Sequence, residues 1–309
     1  MSTLISKNHS GWMVKAPQLA LILITIIWGG SFITVQYGLN FSSPMIFVGL
    51  RFAAAALAVT LISLKSLKGM NLKEAFAGAV IGFMISIGYG TQTVGLQTIS
   101  SSESAFLTAL YVPLVPILLW LLFAKKPQVM TWIGALFAFT GLVFLTGNGF
   151  AAIQLSFGQT LTLLGSIAIA LEIIFISHFA ERVNVRRVTA LQLIFASLFC
   201  FLIAPVLGES QLPEFHWHLA GILVGLGIAS ALIQLVMNWA QRMVNPSQAA
   251  IIYAGEPVWA ALFGRLAGER LPALALVGGL MVVLGVIVSE WKPKFLRKEP
   301  TEELKQDLS

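Results

Sequence analysis

Two glutamates lie inside long apolar segments, where an ionisable side chain is costly. Glu256 is near the middle of the run 246–266, and Glu172 lies within the run 157–178. A carboxyl group in a low-dielectric interior is expected to exchange a proton or to meet a cation. These residues therefore predict proton transfer or recognition of an ammonium group. The alternative for Glu256 is a structural role, in which a hydrogen bond or Arg51 holds its carboxylate.

Two further charged residues are interpreted as structural. Arg51 lies in the outer third of the run 44–64, where we expect an ion pair or a side chain that reaches toward the lipid headgroups. Glu103 stands at the start of the next but one run, where a carboxylate favours a helix N-terminus.

Aromatic and amide side chains inside the apolar runs form a second group of candidates. Tyr and Trp usually gather at the membrane surface, and in the interior their O–H or N–H group needs a partner. We predict that they line a substrate cavity together with the two glutamates. The ten predicted cavity residues are Trp28, Ser31, Tyr89, Gln92, Tyr111, Glu172, Gln234, Asn238, Tyr253 and Glu256. Two prolines within runs, Pro113 and Pro257, are predicted helix bends.

Enzyme signatures are absent from the sequence. It contains no His-Glu-x-x-His motif, nucleophile elbow, phosphate-binding loop or dinucleotide fingerprint. We therefore predict no catalytic residue, no cofactor and no bound metal. His216 and His218 are interpreted as surface residues, and the single cysteine, Cys200, cannot form an internal disulfide.

The elements that must position these residues are ten apolar runs. Each approaches the roughly 20 residues that a helix needs to cross a bilayer. They cover 17–36, 44–64, 75–97, 104–123, 128–147, 157–178, 188–207, 217–238, 246–266 and 272–289. With 57% hydrophobic and 10% charged residues, the composition excludes a soluble globular domain and predicts an all-α polytopic membrane protein.

The basic residues predict the orientation of these runs. If the N-terminus is cytoplasmic, the cytoplasmic segments hold sixteen of the nineteen Lys and Arg residues. Because positive charge resists translocation, we expect both termini on the cytoplasmic side of a cell inner (plasma) membrane. The net charge of +6 thus reflects the Lys and Arg residues of the cytoplasmic segments, and it does not predict binding to nucleic acid.

The ten runs divide into two sets of five. Because a repeat with an odd number of spans ends on the opposite side of the membrane from its start, the second copy has the inverted orientation. An offset of 144 residues places Pro113 on Pro257 and Gly141 on Gly285. The sequence therefore predicts two inverted repeats, an arrangement common in carriers. The predicted boundaries are a cytoplasmic segment 1–16, repeats 17–147 and 157–290, and a disordered cytoplasmic tail 291–309.

Small residues at helical spacing separate two kinds of run. In the fifth and tenth runs they predict close packing of helices. In the third run, small residues from Gly78 to Gly90 continue into Thr93 and Gln97, which predicts a helix bordering a wet path. The eighth run shows a similar stripe: Gly227, Ser230, Gln234, Asn238 and Gln241.

Four short motifs resemble the EamA family of the drug/metabolite transporter superfamily. The first half contributes Trp-Gly-Gly-Ser-Phe at 28–32 and Leu-Arg-Phe at 50–52. The second half contributes Glu-Pro-Val at 256–258 and Gly-Glu-Arg-Leu at 268–271. The halves differ, because Val112 precedes the proline of the first half at the position that Glu256 takes in the second.

This resemblance implies a ten-helix carrier whose cavity is lined by the first, third, fourth, sixth, eighth and ninth helices. The fifth and tenth helices would lie at the periphery. Members of the family typically export amino acids, related metabolites or toxic amphiphiles, usually without ATP. The resemblance does not name the solute, because one fold serves many functions.

We accordingly expect a secondary transporter in the lipid bilayer that exports small organic solutes by alternating access, with protons as a candidate coupling ion. The oligomeric state stays open. One alternative is an uncoupled facilitator or an importer of the same solutes. Two others are a lipid enzyme that uses Glu172 with His178 or Glu256, and a scaffold that transports nothing.

Overall fold

The computed structural model describes residues 3–127, 129–145 and 155–289, and all of its regular elements are helices. Their bounds, in chain order, are α1 Thr3–Gly38, α2 Pro44–Leu67, α3 Leu72–Gly95, α4 Ser101–Thr108, α5 Tyr111–Phe123, α6 Val129–Leu145, α7 Phe157–Phe179, α8 Val185–Ile203, α9 Trp217–Ala240, α10 Pro246–Tyr253, α11 Glu256–Leu266 and α12 Ala273–Ser289. A short 3₁₀ helix, Ala204–Leu207, extends α8.

Seven helical segments of the described chain are long and apolar enough to cross a membrane: Ala16–Gly38, Pro44–Leu67, Leu72–Gly95, Ser101–Phe123, Phe157–Phe179, Val185–Leu207 and Trp217–Ala240. Two shorter apolar segments are Val129–Gly141 and Ala273–Gly285. Many large apolar side chains are exposed on the bundle, as expected for a protein whose solvent is lipid. The protein is therefore an all-helical, multi-pass membrane protein.

The predicted boundary between residues 1–16 and the first apolar run is not a helix boundary, since α1 is continuous from Thr3 to Gly38. A helix satisfies its backbone hydrogen bonds locally, so it need not stop where its composition changes. The predicted tail 291–309, residues 128, 146 and 147 of the first repeat and residue 290 of the second lie outside the described residues.

The fourth and ninth apolar runs are each divided into two helices. A turn at residues 109–110 separates α4 from α5, and a turn at 254–255 separates α10 from α11. Each turn comes just before Pro113 or Pro257. A proline ring clashes with the carbonyl four residues earlier and lacks an N–H, which explains an interruption at these places.

Polar side chains form hydrogen bonds with the helix termini at both ends of the bundle. One end, here called the basic end, consists of residues 65–71, 180–187 and 241–245. There Arg187 donates to the carbonyls of Ser66, Lys68 and Gly69 and forms a salt bridge of 3.3 Å with Glu74. At the opposite end (residues 38–43, 96–103, 155–159, 204–216 and 266–272), Glu209 accepts N–H groups from the first turn of α2. Glu269 does the same for α4.

The glycines of α6 and α12 make close helix packing. A Cβ atom at Gly141 would lie 2.6 Å from the carbonyl oxygen of Gly278, and one at Gly285 equally close to that of Gly134. These two helices pack mainly against each other. This is the close packing of small residues that the fifth and tenth runs predict.

The interpretation of the α3 stripe as the border of a wet path is wrong. A Cβ atom at Gly78 or Gly82 would clash with the backbone or Cβ atoms of α8, and Gly90 faces Met45 of α2. Gln97, at the end of the stripe, is exposed. The glycines therefore serve close packing, and the polar residues Tyr89 and Gln92 point elsewhere.

Candidate functional site

An aromatic cluster lies at the centre of the candidate site. The rings of Trp28 and Tyr89 stack with centroids 6.1 Å apart, and Tyr253 meets Trp28 edge-on at 5.7 Å. Phe52 of α2 packs edge-on against Tyr89 at 5.3 Å. Three of the predicted cavity residues, from α1, α3 and α10, thus form one buried group.

Glu172 of α7 ends a chain of buried amide groups. Its Oε1 accepts a hydrogen bond of 2.7 Å from Gln234 Nε2, and Gln234 Oε1 accepts one of 2.6 Å from Gln192 Nε2. Gln192 Oε1 in turn accepts from Asn238 Nδ2 at 3.1 Å. The chain connects α7, α8 and α9, and it brings Glu172, Gln234 and Asn238 together.

Glu256 is the first residue of α11 and is fully buried. Its Oε2 accepts a hydrogen bond of 3.4 Å from the hydroxyl of Tyr111, the first residue of α5. The break in the ninth run places this carboxylate at a helix N-terminus, where the helix dipole favours negative charge. The broken segments of both halves therefore meet at this pair.

The backbones that carry the two carboxylates pack beside the aromatic cluster. A Cβ atom at Gly29, next to Trp28, would lie 2.7 Å from the carbonyl oxygen of Glu256, and one at Gly88, next to Tyr89, would lie 2.8 Å from Ile169, which is one turn before Glu172. Within the described residues, three buried polar atoms of this group have no hydrogen-bond partner: Trp28 Nε1, Glu172 Oε2 and Glu256 Oε1. Buried polar atoms are seldom left unpaired, so one donor and two acceptors here are available to a bound solute or to protons.

Two predicted cavity residues stand apart from this group. Gln92 is engaged by Thr108 of α4, to which its amide donates at 2.9 Å. Ser31 donates to the Trp28 carbonyl and lines a cleft of about 620 Å³ between α1 and α9, toward the end of the bundle opposite the basic one. The cleft wall from α9 includes Trp217, His218, Gly221 and Gly225.

A second, smaller opening of about 130 Å³ lies at the basic end. It is lined by residues of α5, of α7 and of the start of α10, among them Ser177 and His178, and by Lys125 of the loop that follows α5. Ser177 donates to Gln241, and Gln241 donates to the Tyr253 hydroxyl at 2.8 Å. A polar connection therefore runs from this opening to the aromatic cluster.

The predicted ion pair of Arg51 does not form, and the side chain does not reach the headgroups. Arg51 is 3% exposed, and its Nε donates to Ser230 Oγ at 2.8 Å. No carboxylate among the described residues lies within 4.0 Å of it. Glu256 is accordingly held by Tyr111 and not by Arg51.

Two contributors to the site are missing from the sequence interpretation, and the partner of a third is missing. Gln192 and Thr108 bond to predicted residues, but each looks like an isolated polar residue in an apolar helix. Gln241 belongs to the predicted polar stripe of the eighth run, but the sequence does not indicate its partner, the hydroxyl of Tyr253. Their polar character inside predicted spans was the available signal.

Among residues 3–127, 129–145 and 155–289, no three His, Cys, Asp or Glu side chains are grouped so that they could hold a metal ion.

A bundle of apolar helices that encloses buried carboxylates, amides and aromatic rings is typical of a membrane transport protein. The sequence matches the EamA-like transporter family twice, over residues 16–147 and over 156–291. Together the matches cover most of the chain. The protein therefore belongs to the EamA-like transporter family.

Relatives agree with this assignment, and a solved structure shares the fold. An uncharacterized transporter of Archaeoglobus fulgidus is 30% identical over 275 residues, which are 87% of this chain and 84% of the relative. The inner membrane transporter YedA of Escherichia coli K12, also described as uncharacterized, is 28% identical and covers 94% of this chain and 96% of its own. A crystal structure with a TM-score of 0.68 and 16% identity covers 92% of this chain and 99% of its own, which shows a shared fold.

Proposed function

We propose that the protein is a secondary transporter of the cell inner membrane that exports amino acids or related small metabolites or amphiphiles, coupled to protons, without enzyme activity of its own. The observation that carries this proposal is the pair of buried carboxylates, Glu172 and Glu256, each with one oxygen that lacks a partner among the described residues. They lie beside an aromatic cluster that can hold an organic solute.

The proposed architecture is ten membrane-spanning segments in two inverted repeats, at 17–147 and 157–290, with cytoplasmic termini. The double family match supports two repeats, and the paired breaks before Pro113 and Pro257 support their equivalence. The concentration of Lys and Arg at the basic end supports a cytoplasmic position for that end.

The proposed cycle opens the candidate site alternately toward the two ends of the bundle. The carboxylates are fully buried in this structure, with the cleft on one side and the smaller opening on the other. The broken segments α4–α5 and α10–α11 are suited to gating, because a helix interruption allows two pieces to tilt separately. In this scheme Pro113 and Pro257 set the position of the gates.

Glu256 is the proposed coupling residue. A charged carboxylate in a dry interior is costly, so closure around Glu256 favours either a bound proton or a bound ammonium group. Exchange of one for the other, on opposite sides of the membrane, links proton entry to solute exit. Glu172 would assist by binding the same cation or by relaying the proton.

Transport into and out of proteoliposomes tests this proposal. Efflux of a labelled panel of amino acids and amines should be faster when protons are allowed to enter the vesicle as the solute leaves. Equal efflux with and without the gradient would show that the protein is an uncoupled facilitator. Lipid turnover by the purified protein would favour a lipid enzyme. If no solute of the panel is transported, a scaffold role would be favoured.

A further inference from the structure

Arg51 is a buried cation without a counter-ion among the described residues. It lies on α2, roughly 10 Å along the helix axis from Pro44 at a rise of about 1.5 Å per residue, and it is 3% exposed. Burying a charge costs several kcal/mol unless a partner offsets it. A membrane helix rarely carries such a residue without a functional partner.

Most of the donors of Arg51 are unused. A guanidinium group carries five N–H donors, and only the Nε donor has a hydrogen-bond acceptor among the described residues, Ser230 Oγ at 2.8 Å. The other contacts are with aromatic faces, because the Cζ atom lies 5.6 Å from the ring centre of Phe52 and 5.5 Å from that of Tyr89. The side chain is thus held in place while both Nη groups keep their hydrogen-bonding capacity.

The position of Arg51 joins it to the candidate site. Tyr89, which it contacts, stacks on Trp28 in the aromatic cluster. Ser230, which orients it, is one helical turn from Leu226 in the wall of the cleft between α1 and α9. A solute entering the site from the cleft would therefore come close to the guanidinium group.

We propose that Arg51 binds a carboxylate group of the transported solute. A planar guanidinium fork matches the two oxygens of a carboxylate, and such a pair is stronger than a neutral hydrogen bond. A singly charged carboxylate also fits the charge of the site better than a phosphate does. The candidate site also contains the buried carboxyl groups of Glu172 and Glu256, so a doubly charged anion would add repulsion.

This inference rests on the proposed transport function and narrows its substrate class. A solute with an ammonium group for Glu256 or Glu172 and a carboxylate for Arg51 is a zwitterion of the amino-acid type. An amine that lacks the carboxylate would satisfy the glutamates but would leave the Nη groups of Arg51 unpaired.

The test compares matched solutes in proteoliposomes that contain the full-length protein. The probes are alanine, leucine and phenylalanine, each with its amide, so that only the carboxylate changes. The variants are Arg51→Gln, Arg51→Lys and Ser230→Ala, and Arg186→Gln is the control because Arg186 is exposed at the basic end. Circular dichroism and the melting temperature of each purified variant report its folding.

The wild type should carry the best acid faster than its amide by about tenfold or more, the effect of about one charge-assisted hydrogen bond. Arg51→Gln should lose acid flux and keep amide flux, so that the ratio falls to about one. Arg51→Lys and Ser230→Ala retain the positive charge and should give intermediate ratios of acid flux to amide flux. If Arg51→Gln does not fold, these two variants test the inference in its place. Arg186→Gln should keep the wild-type ratio.

Two results would overturn the inference while leaving transport intact. One is a wild type that carries acid and amide equally well. The other is an Arg51 variant that lowers both fluxes by the same factor, which is the signature of a purely structural arginine. A wild type that carries none of the six probes would count against the proposed function, and the inference would fall with it.

Discussion

The hydroxyl of Tyr111 and the Oε2 atom of Glu256 are 3.4 Å apart, and each residue is the first of the helix that follows a break. One break lies in the matched segment 16–147 and the other in 156–291. Among the described residues, Tyr111 is the only polar partner of the Glu256 carboxylate. This hydrogen bond therefore joins the two matched segments. Movement of one broken helix relative to the other would change the surroundings of this carboxylate.

Glu256→Gln should remove the pH dependence of transport and leave a folded protein. The amide has nearly the shape of a carboxylate and can still accept a hydrogen bond from Tyr111, but it cannot exchange a proton. Solute efflux at several imposed pH gradients measures the effect, and the melting temperature in detergent measures folding.

Glu214→Gln is the matched control, because Glu214 is exposed at the end opposite the basic one. It should behave as the wild type. A Glu256→Gln variant that is unfolded in detergent would show that the residue is a structural strut.

Gln192→Leu should destabilise the protein by about 1–3 kcal/mol, the cost of leaving a buried polar group unpaired. The substitution removes the donor to Gln234 and the acceptor for Asn238. Because Gln234 also holds Glu172, transport should fall as well. Unfolding in detergent measures stability, with the exposed Gln211→Leu as the control. Equal stability of the two variants would mean that the amide chain is energetically unimportant.

Glu269→Ala should destabilise the start of α4 by about 2 kcal/mol, since it removes a helix cap and a favourable charge at the N-terminus. The carboxylate accepts from the backbone N–H of Ser101 at 2.9 Å and of Ser102 at 3.2 Å, and from both hydroxyls. Hydrogen exchange of α4 should speed up in this variant. Unchanged exchange there would contradict a capping role, and the exposed Glu214→Ala serves for comparison.

Gly285→Ala and Gly225→Ala should have opposite effects although both replace a glycine inside a helix. A Cβ atom at Gly285 would lie 2.6 Å from the Gly134 carbonyl oxygen, whereas nothing lies within 4 Å of one at Gly225. We expect a loss of about 1–3 kcal/mol at Gly285 from overpacking. At Gly225 we expect no loss, or a gain of up to about 1 kcal/mol from helix propensity. Melting temperatures that fall equally would refute the proposed tightness of the α6–α12 contact.

The sequence was sufficient to predict where most helices lie and which residues to examine. Apolar length and the cost of intramembrane charge depend only on local composition, so Glu172, Glu256 and the aromatic residues could be selected without coordinates. The helix breaks at 109–110 and 254–255 were foreshadowed by Pro113 and Pro257. Whether the twelve candidate residues bind solute or gate its path stays a prediction.

Contacts between helices could not be read from local pattern. The glycines of α3 and the polar stripe of α9 have similar spacing, yet the first packs on α8 while the second carries Ser230, Gln234 and Asn238. The difference depends on which helix lies opposite. For the same reason, Arg51 could not be matched to Ser230, which is 179 residues away.

The most direct test of the account is the pH inside proteoliposomes, followed with a trapped dye while an amino acid is added outside without any imposed gradient. We predict that solute entry expels protons, so that the internal pH rises in step with uptake of the labelled solute. In vesicles containing Glu256→Gln the internal pH should stay constant. Uptake by the wild type with no change in internal pH would contradict proton coupling through Glu256.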